Sequence, residues 1–178
     1  MVVPWKVSAT VQVMFTQPRI AILTVFGLSL LAAASVASDS AERPEIERLA
    51  AMTNSYRTQQ KLPRLVLSPS LCQAAQLHAE YMAAHRKQTH DEPGSIGLVT
   101  VWDRTRAESV GWIKVGENIC HGYPDSDSAF TCWIKSTPHR TNIVDPNFTD
   151  IGLGCAVDTV KGQKYWVMDL AERRPRRR

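Results

Sequence analysis

Apolar residues recur at helical spacing in two segments of the first half of the chain. Over residues 45–60, apolar and small side chains return every three or four positions, which predicts a first helix. Ser68 followed by Pro69 is a typical helix start, because serine caps a helix and proline needs no partner in the first turn. We therefore predict a second helix from this point to about Arg86.

The second half of the chain is typical of strands. Over residues 151–158 and 164–170, apolar residues alternate with small or polar ones, and the turn between them predicts a β-hairpin. The other predicted elements are a short helix over residues 103–110, a strand over 112–120 and a third main helix capped by Ser126 or Asp127. Helices that precede a few hairpin strands predict an α+β fold, with the helices packed on a small antiparallel sheet.

An uncharged apolar run over residues 20–34 precedes all of these elements. It is shorter than the roughly 20 apolar residues that span a bilayer. Ser35-Val36-Ala37 then provides the small residues that a signal peptidase recognises. We expect residues 1–37 to be a signal peptide, with Met14 as an alternative start. The mature protein is then secreted or periplasmic and not an integral membrane protein.

Charge is distributed unevenly along the chain. Residues 38–171 carry 14 Lys and Arg against 16 Asp and Glu, although the whole chain has a formal charge of +4. The basic excess lies at the C-terminus, where residues 172–178 are expected to form a disordered tail that could touch anionic lipid or a polyanionic cell-envelope component. No basic stripe alternates with aromatic residues, so nucleic acid is not an expected partner.

All four cysteines follow the predicted leader, at Cys72, Cys120, Cys132 and Cys155. An even number of cysteines in an exported chain predicts two disulfides. Cys120 and Cys132 flank a short loop, which favours Cys120–Cys132 with Cys72–Cys155 among the three pairings that four cysteines allow. Buried free thiols are the alternative. No pair has the CxxC spacing of a zinc knuckle.

Three blocks hold polar and rigid residues at unusual density: Gly116-Glu-Asn-Ile119, the run from Trp133 to Ile143 (WIKSTPHRTNI), and the run from Phe148 to Gly154 (FTDIGLG). Together these blocks resemble the CAP superfamily of cysteine-rich secretory, antigen 5 and pathogenesis-related-1 proteins, and above all its bacterial SCP-like branch. The resemblance extends from about Ile46 to Asp169. It implies a three-layer α-β-α sandwich, the CAP fold, over residues 44–171.

The same resemblance implies a cleft formed by His90, Glu117 and His139. In the family this cleft often binds a divalent metal such as zinc, so these three residues are the expected ligands. Two imidazoles and one carboxylate suit zinc and leave a fourth position open. The residues expected to support the ligands are Asn118, Arg140 and Asn142.

Several functional interpretations of these residues stay open. The same side chains would also serve as a structural polar network that binds nothing, and His78 and His85 are expected to be core histidines bonded to backbone. The expected function is that of a secreted CAP-domain protein whose cleft binds a divalent metal or a small apolar ligand such as a lipid, without catalysis. A metal-assisted hydrolase of peptide or cell-envelope material and a pure protein-interaction module are the alternatives.

Overall fold

The computed structural model describes residues 43–93, 100–106 and 111–174. The first described segment opens with helix α1, residues 43–59. The elements that follow are β1 (Val66–Leu67), α2 (Pro69–His85), α3 (Val101–Arg106), β2 (Trp112–His121), α4 (Ser126–Lys135), α5 (Thr137–Ile143), β3 (Asp150–Val157) and β4 (Lys164–Arg173). The expected signal peptide over residues 1–37 lies outside the described residues.

The strands form a four-stranded sheet in the order β1-β3-β4-β2. β3 and β4 pair antiparallel, which confirms the predicted hairpin, and β2 pairs antiparallel with the other side of β4. The short β1 runs parallel to β3. This register places Glu117 of β2 and Gly152 of β3 on either side of Asp169 of β4.

Helices cover both faces of the sheet, so the predicted three-layer α-β-α sandwich is confirmed. Side chains alternate between faces along a strand. Ile151 and Leu153 of β3 belong to a buried cluster with Leu49 of α1 and Trp133 of α4. The intervening Gly152 faces α2 on the opposite side. Long α2 and the short α3 therefore lie on the face that carries Glu117 and Asp169.

Two glycines of β3 let α2 lie directly on the sheet. A Cβ atom at Gly152 would lie 2.2 Å from the carbonyl carbon of Leu71, and one at Gly154 would lie 2.4 Å from that of Ala75. These are backbone atoms of α2, so the helix could not turn a side chain away to make room. The absence of two side chains therefore fixes the distance between this helix and the sheet.

The start of α4 differs from the prediction by one or two residues. Asp125, and not Ser126 or Asp127, caps the helix. Its Oδ1 atom accepts a hydrogen bond from the Ser128 backbone N–H at 2.8 Å, and the Ser128 hydroxyl lies 3.4 Å from the Asp125 N–H. This reciprocal pair satisfies two backbone donors that the first turn leaves without helical partners.

The C-terminal strand is longer than the sequence pattern indicates. β4 continues to Arg173, so the prediction of a tail from residue 172 is wrong at its start. The Arg173 guanidinium forms an ion pair with the buried Asp150 carboxylate and lies 5.1 Å from the centre of the Trp112 ring. These contacts explain why a residue within a basic run is ordered in the sheet. Residues 175–178 lie outside the described residues.

All four cysteines are described, and each carries a thiol, so neither of the two predicted disulfides is present in the structure. The predicted Cys72–Cys155 pairing is wrong for a geometric reason. Cys155 lies in the cluster with Leu153, on the face of the sheet away from α2, whereas Cys72 belongs to α2 itself. The two cysteines therefore belong to different layers of the fold.

The close approach of α2 to β3 leads to a first prediction. Gly152→Ala should lower the free energy of unfolding by about 3 kcal/mol or more, at or beyond the upper end of the usual cost of overpacking, because the new methyl group meets backbone. Gly116→Ala is the matched comparison, since its Cβ would meet the end of the Phe148 ring at 2.9 Å, and a ring can shift. Urea unfolding of both variants measures the difference. Equal losses would contradict the close helix–sheet contact.

Candidate functional site

The Glu117 carboxylate lies at the centre of the candidate site. Its side chain is only 2% exposed, because β2 pairs with β4 on one side and α2 and α3 cover this face. Oε1 accepts a hydrogen bond from His90 Nδ1 at 2.7 Å. Oε2 accepts one from the Arg104 guanidinium. Both carboxylate oxygens therefore already have strong partners from the protein.

His90 lies in the loop after α2 and is the exposed member of the group, with 58% of its side chain accessible. Its Nδ1 atom is held by Glu117, so Nε2 is the ring nitrogen left for other contacts. The hydrogen bond to Glu117 is the main cause that raises the pKa of His90 above its ordinary value, against partial burial. The structure thus brings together two of the three expected cleft residues.

Arg104 of α3 is a site residue that the sequence reasoning missed. Its side chain is 3% exposed, and its guanidinium donates to Glu117 and to the backbone carbonyl of His90 at 3.2 and 3.3 Å. It also lies 3.6 Å from the Glu92 carboxylate. Arg104 therefore supplies the positive charge that a buried carboxylate requires, and it holds the His90 loop against β2. The only sequence signal for Arg104 is its place within a short predicted helix.

His78 of α2 packs on the buried side of Glu117. It is fully buried, with Nδ1 at 2.6 Å from Glu92 Oε1 and Nε2 at 2.8 Å from the Thr89 carbonyl. Nε2 also lies 3.7 Å from Glu117. His78 is thus a core histidine bonded to backbone, as expected, but it also contacts two carboxylates. His85 differs from the expectation, because it is exposed and its Nδ1 bonds to the Tyr81 carbonyl.

Asp169 is the second missed residue and lies beside Glu117 in the sheet register. Its carboxyl group is completely buried, and no donor from the described residues hydrogen-bonds to either oxygen. Burial first, and the neighbouring Glu117 charge second, raise the pKa of Asp169 well above its ordinary value. A raised pKa favours the neutral form, which adds no second negative charge beside Glu117, as expected where two carboxyl groups share one buried site. A single acidic residue in an apolar strand is the signal that indicates it.

His139 lies on α5, close enough to His90 for the charge of that imidazole to affect its pKa. Its Nδ1 atom is buried and has no hydrogen-bond partner among the described residues. Burial, followed by the charge of His90, lowers the pKa of His139. Asn118 donates to the His139 carbonyl at 3.0 Å, and Asn142 donates to Asn118 Oδ1 at 2.9 Å. These two amides therefore hold the backbone of His139 in place.

Arg140 does not take the supporting role that was expected for it. Its guanidinium donates to the Ile134 carbonyl at 2.7 Å and lies 3.4 Å from the Thr137 hydroxyl. Ile134 is near the end of α4, where backbone carbonyls lack helical partners. Arg140 thus joins α4 to α5 and contacts neither His90 nor Glu117 among the bonds described.

The side-chain atoms that are available in the site decide whether it suits a metal ion. No group of three or more His, Cys, Asp or Glu side chains within the described ranges is arranged to hold one. Glu117 does not fit a direct ligand role, because His90 and Arg104 engage its oxygens. Two imidazole nitrogens do fit: His90 Nε2, and His139 Nδ1, which has no partner among the described residues. A carboxylate that bonds the other nitrogen of a histidine is the usual support for a metal-binding imidazole.

The buried acid pair leads to a second prediction, made for Asp169→Asn. Because the pKa of Asp169 is raised in the folded state, this group stabilises the fold most at pH values below its ordinary pKa of 3.8. That contribution to the free energy of unfolding is lost as the pH rises through the folded-state pKa. Asparagine keeps a donor and cannot ionise. The variant should therefore gain stability relative to wild type as pH rises from about 4 towards neutrality.

Urea unfolding across this pH range checks the trend. Asp158→Asn is the control of opposite sign, because three backbone N–H groups lower the pKa of Asp158 and its contribution is lost as pH falls. A stability difference for Asp169→Asn that does not change with pH would contradict the neutral acid.

Comparison with known proteins assigns the chain to a family. The model of the cysteine-rich secretory protein family, CAP, matches residues 50–170. The chain is 29% identical over 108 residues to YkwD, an uncharacterized protein of Bacillus subtilis, a match that covers 61% of this chain and 41% of YkwD. It is 27% identical over 124 residues to YlbC, an uncharacterized membrane protein of the same bacterium, covering 68% and 33%. The chain thus spans less than half the length of these curated relatives.

Solved structures show the same similarity. An extracellular SCP-domain protein from Bacillus anthracis superposes with a TM-score of 0.66 at 27% identity, covering 74% of this chain and 41% of that one. An outer surface protein from Borrelia burgdorferi superposes with a TM-score of 0.67 at 17% identity, covering 75% and 96%, and shares the fold. With the family model matching most of the chain, this protein belongs to the cysteine-rich secretory protein (CAP) family.

Proposed function

We propose that this protein is an exported CAP-domain protein whose cleft binds a divalent cation, with zinc as the first candidate, reversibly through His90 and His139. The observation that carries the proposal is the buried Nδ1 atom of His139, which has no partner among the described residues. The charge of His90 helps to lower the pKa of His139, which supports a location of both imidazoles at one cleft. A buried polar atom without a partner is costly unless something else satisfies it.

Glu117 supports the proposal through its hold on His90. The Nδ1–H group of His90 points at the carboxylate, which leaves the lone pair on Nε2 for a ligand. Arg104 in turn holds the second carboxylate oxygen and the His90 carbonyl. The histidine is therefore oriented before any ligand arrives, and this lowers the cost of binding.

His139 supports the proposal through its protonation state. Metal ions bind the neutral imidazole, and burial favours that form of His139 by lowering its pKa. Two protein ligands are fewer than the four of a closed structural zinc site, so water would complete the coordination. The nearby Arg104 charge also opposes the approach of a cation. We therefore expect weak, reversible binding and not a permanent structural metal.

Export is supported by two separate observations. The sequence predicts a cleavable leader over residues 1–37, and the similar Bacillus anthracis protein is extracellular. Within the described part of the chain, none of the helices has the length and apolar character needed to cross a membrane.

The third prediction concerns zinc titration of the mature protein by calorimetry. Wild type should bind one ion, and both His90→Ala and His139→Ala should abolish measurable binding because each removes one of two ligands. Glu117→Gln should bind about 10–100-fold more weakly, since it weakens the support of His90 without removing a ligand.

His85→Ala is the matched control, because His85 is an exposed histidine on α2 outside the cleft. It should bind zinc as wild type does. No binding by wild type, or equal binding by wild type and both cleft variants, would refute the proposal. Zinc-dependent cleavage of peptide or cell-envelope material by the wild type, lost in Glu117→Gln, would instead establish the hydrolase alternative.

The fourth prediction concerns the pH dependence of this binding. Protons compete with the metal for imidazole nitrogen, so affinity should fall as pH falls. Because Glu117 raises the pKa of His90, the loss in wild type should begin above the ordinary histidine value of 6.5. In Glu117→Gln the midpoint should move to lower pH. An identical midpoint in the two proteins would contradict the coupling between Glu117 and His90.

A further inference from the structure

Two of the four thiols lie together in the core. Cys120 is buried in β2, and Cys132 packs against the same cluster from α4, half-buried. The Cys132 side chain lies close enough to the Cys120 thiol to contribute to its raised pKa. From this placement we propose that Cys120 and Cys132 are a thiol-oxidation site that closes to a single reversible disulfide, while Cys72 and Cys155 remain thiols.

The positions of the other cysteines exclude competing pairs. Cys155 lies on the same face as Cys120, but Trp166 of β4 stands between them in the register. Two strand spacings separate them, roughly 9–10 Å, which is beyond the span of a disulfide. Cys72 belongs to α2, a different layer of the fold.

Cys132 is the accessible member of the pair. It lines a surface groove of about 460 Å³ together with Tyr123 and Lys135, so a small oxidant can reach its sulfur atom. Burial raises the pKa of the Cys120 thiol, which keeps this sulfur protonated and makes it a poor first nucleophile. The order of reaction follows: Cys132 reacts first with the outside reagent, and Cys120 reacts second.

The oxidant is a small disulfide, and the chemistry is thiol–disulfide exchange. The Cys132 thiolate attacks one sulfur of oxidised glutathione, which breaks that S–S bond and releases one glutathione thiolate. Cys120 then loses its proton and attacks the Cys132 sulfur of the mixed disulfide, which releases the second glutathione. The protein gives up two electrons and two protons, and one glutathione disulfide becomes two thiols.

The new bond would join two parts of the fold that carry cleft residues. Cys120 follows Glu117 on the same strand, and α4 continues through Ser136 into α5 with His139. The contacts in the reduced structure are already complete, so the bond constrains mainly the unfolded chain. Oxidation should therefore raise Tm by about 5–10 °C.

The experiment uses mature protein, fully reduced and then incubated with oxidised glutathione. Alkylation and mass spectrometry should count four thiols before treatment and two after it, with Cys120 and Cys132 in one cross-linked peptide. Dithiothreitol should restore all four thiols and the lower Tm. Cys132→Ser should keep its three thiols and its Tm unchanged, whereas Cys72→Ser, the matched control, should still form the bond.

Three outcomes would overturn the proposal. They are four thiols that persist after oxidation, a stable glutathione adduct on Cys132 without closure, and a cross-link that includes Cys72 or Cys155. If Cys132→Ser does not fold, Cys132→Ala serves the same purpose, because the side chain is only half-buried. Zinc titration of reduced protein is unaffected by this reaction, so failure here and failure of the proposed metal binding are separate results.

Discussion

The buried charge of Glu117 is the constraint on which the rest of the site depends. A carboxylate taken out of water is tolerated only with partners that compensate the lost hydration. Here the Arg104 guanidinium and the His90 imidazole supply that compensation. Burial raises the pKa of the neighbouring Asp169 of β4, which favours its neutral form and limits the repulsion on Glu117. Each partner comes from a different element, so the loop after α2, α3 and β4 must all be in place before Glu117 can be buried.

The fold meets this requirement with tight packing over the sheet. Gly152 and Gly154 admit α2 so closely that its backbone contacts β3. The helix then presents His78 to the inner side of the site. On the outer side, the pair of amides from Asn118 and Asn142 holds His139 by its backbone. The cleft residues are therefore positioned by the close α2–β3 packing and by the hydrogen bonds of these two amides.

Local pattern and family resemblance predicted different parts of this arrangement. Alternation and turn residues were enough for the β3–β4 hairpin, and helical spacing was enough for α1 and α2. The family resemblance predicted that His90 and Glu117 share one cleft, and the structure has the two side chains within hydrogen-bonding distance. Arg104 and Asp169 were missed because their contacts run between elements, and such contacts leave no periodic signal. The Cys72–Cys155 pairing failed for the same reason, since spacing along a chain does not tell which face of a sheet a residue occupies.

The most direct test of this account is the tautomer of His90 in metal-free protein, read from long-range proton–nitrogen correlation spectra above the pKa of that imidazole. The account predicts a proton on Nδ1, held by Glu117, with Nε2 bare, and predicts that Glu117→Gln weakens this preference. A proton on Nε2 in the wild type, or the same tautomer ratio in both proteins, would contradict the central role of the buried carboxylate.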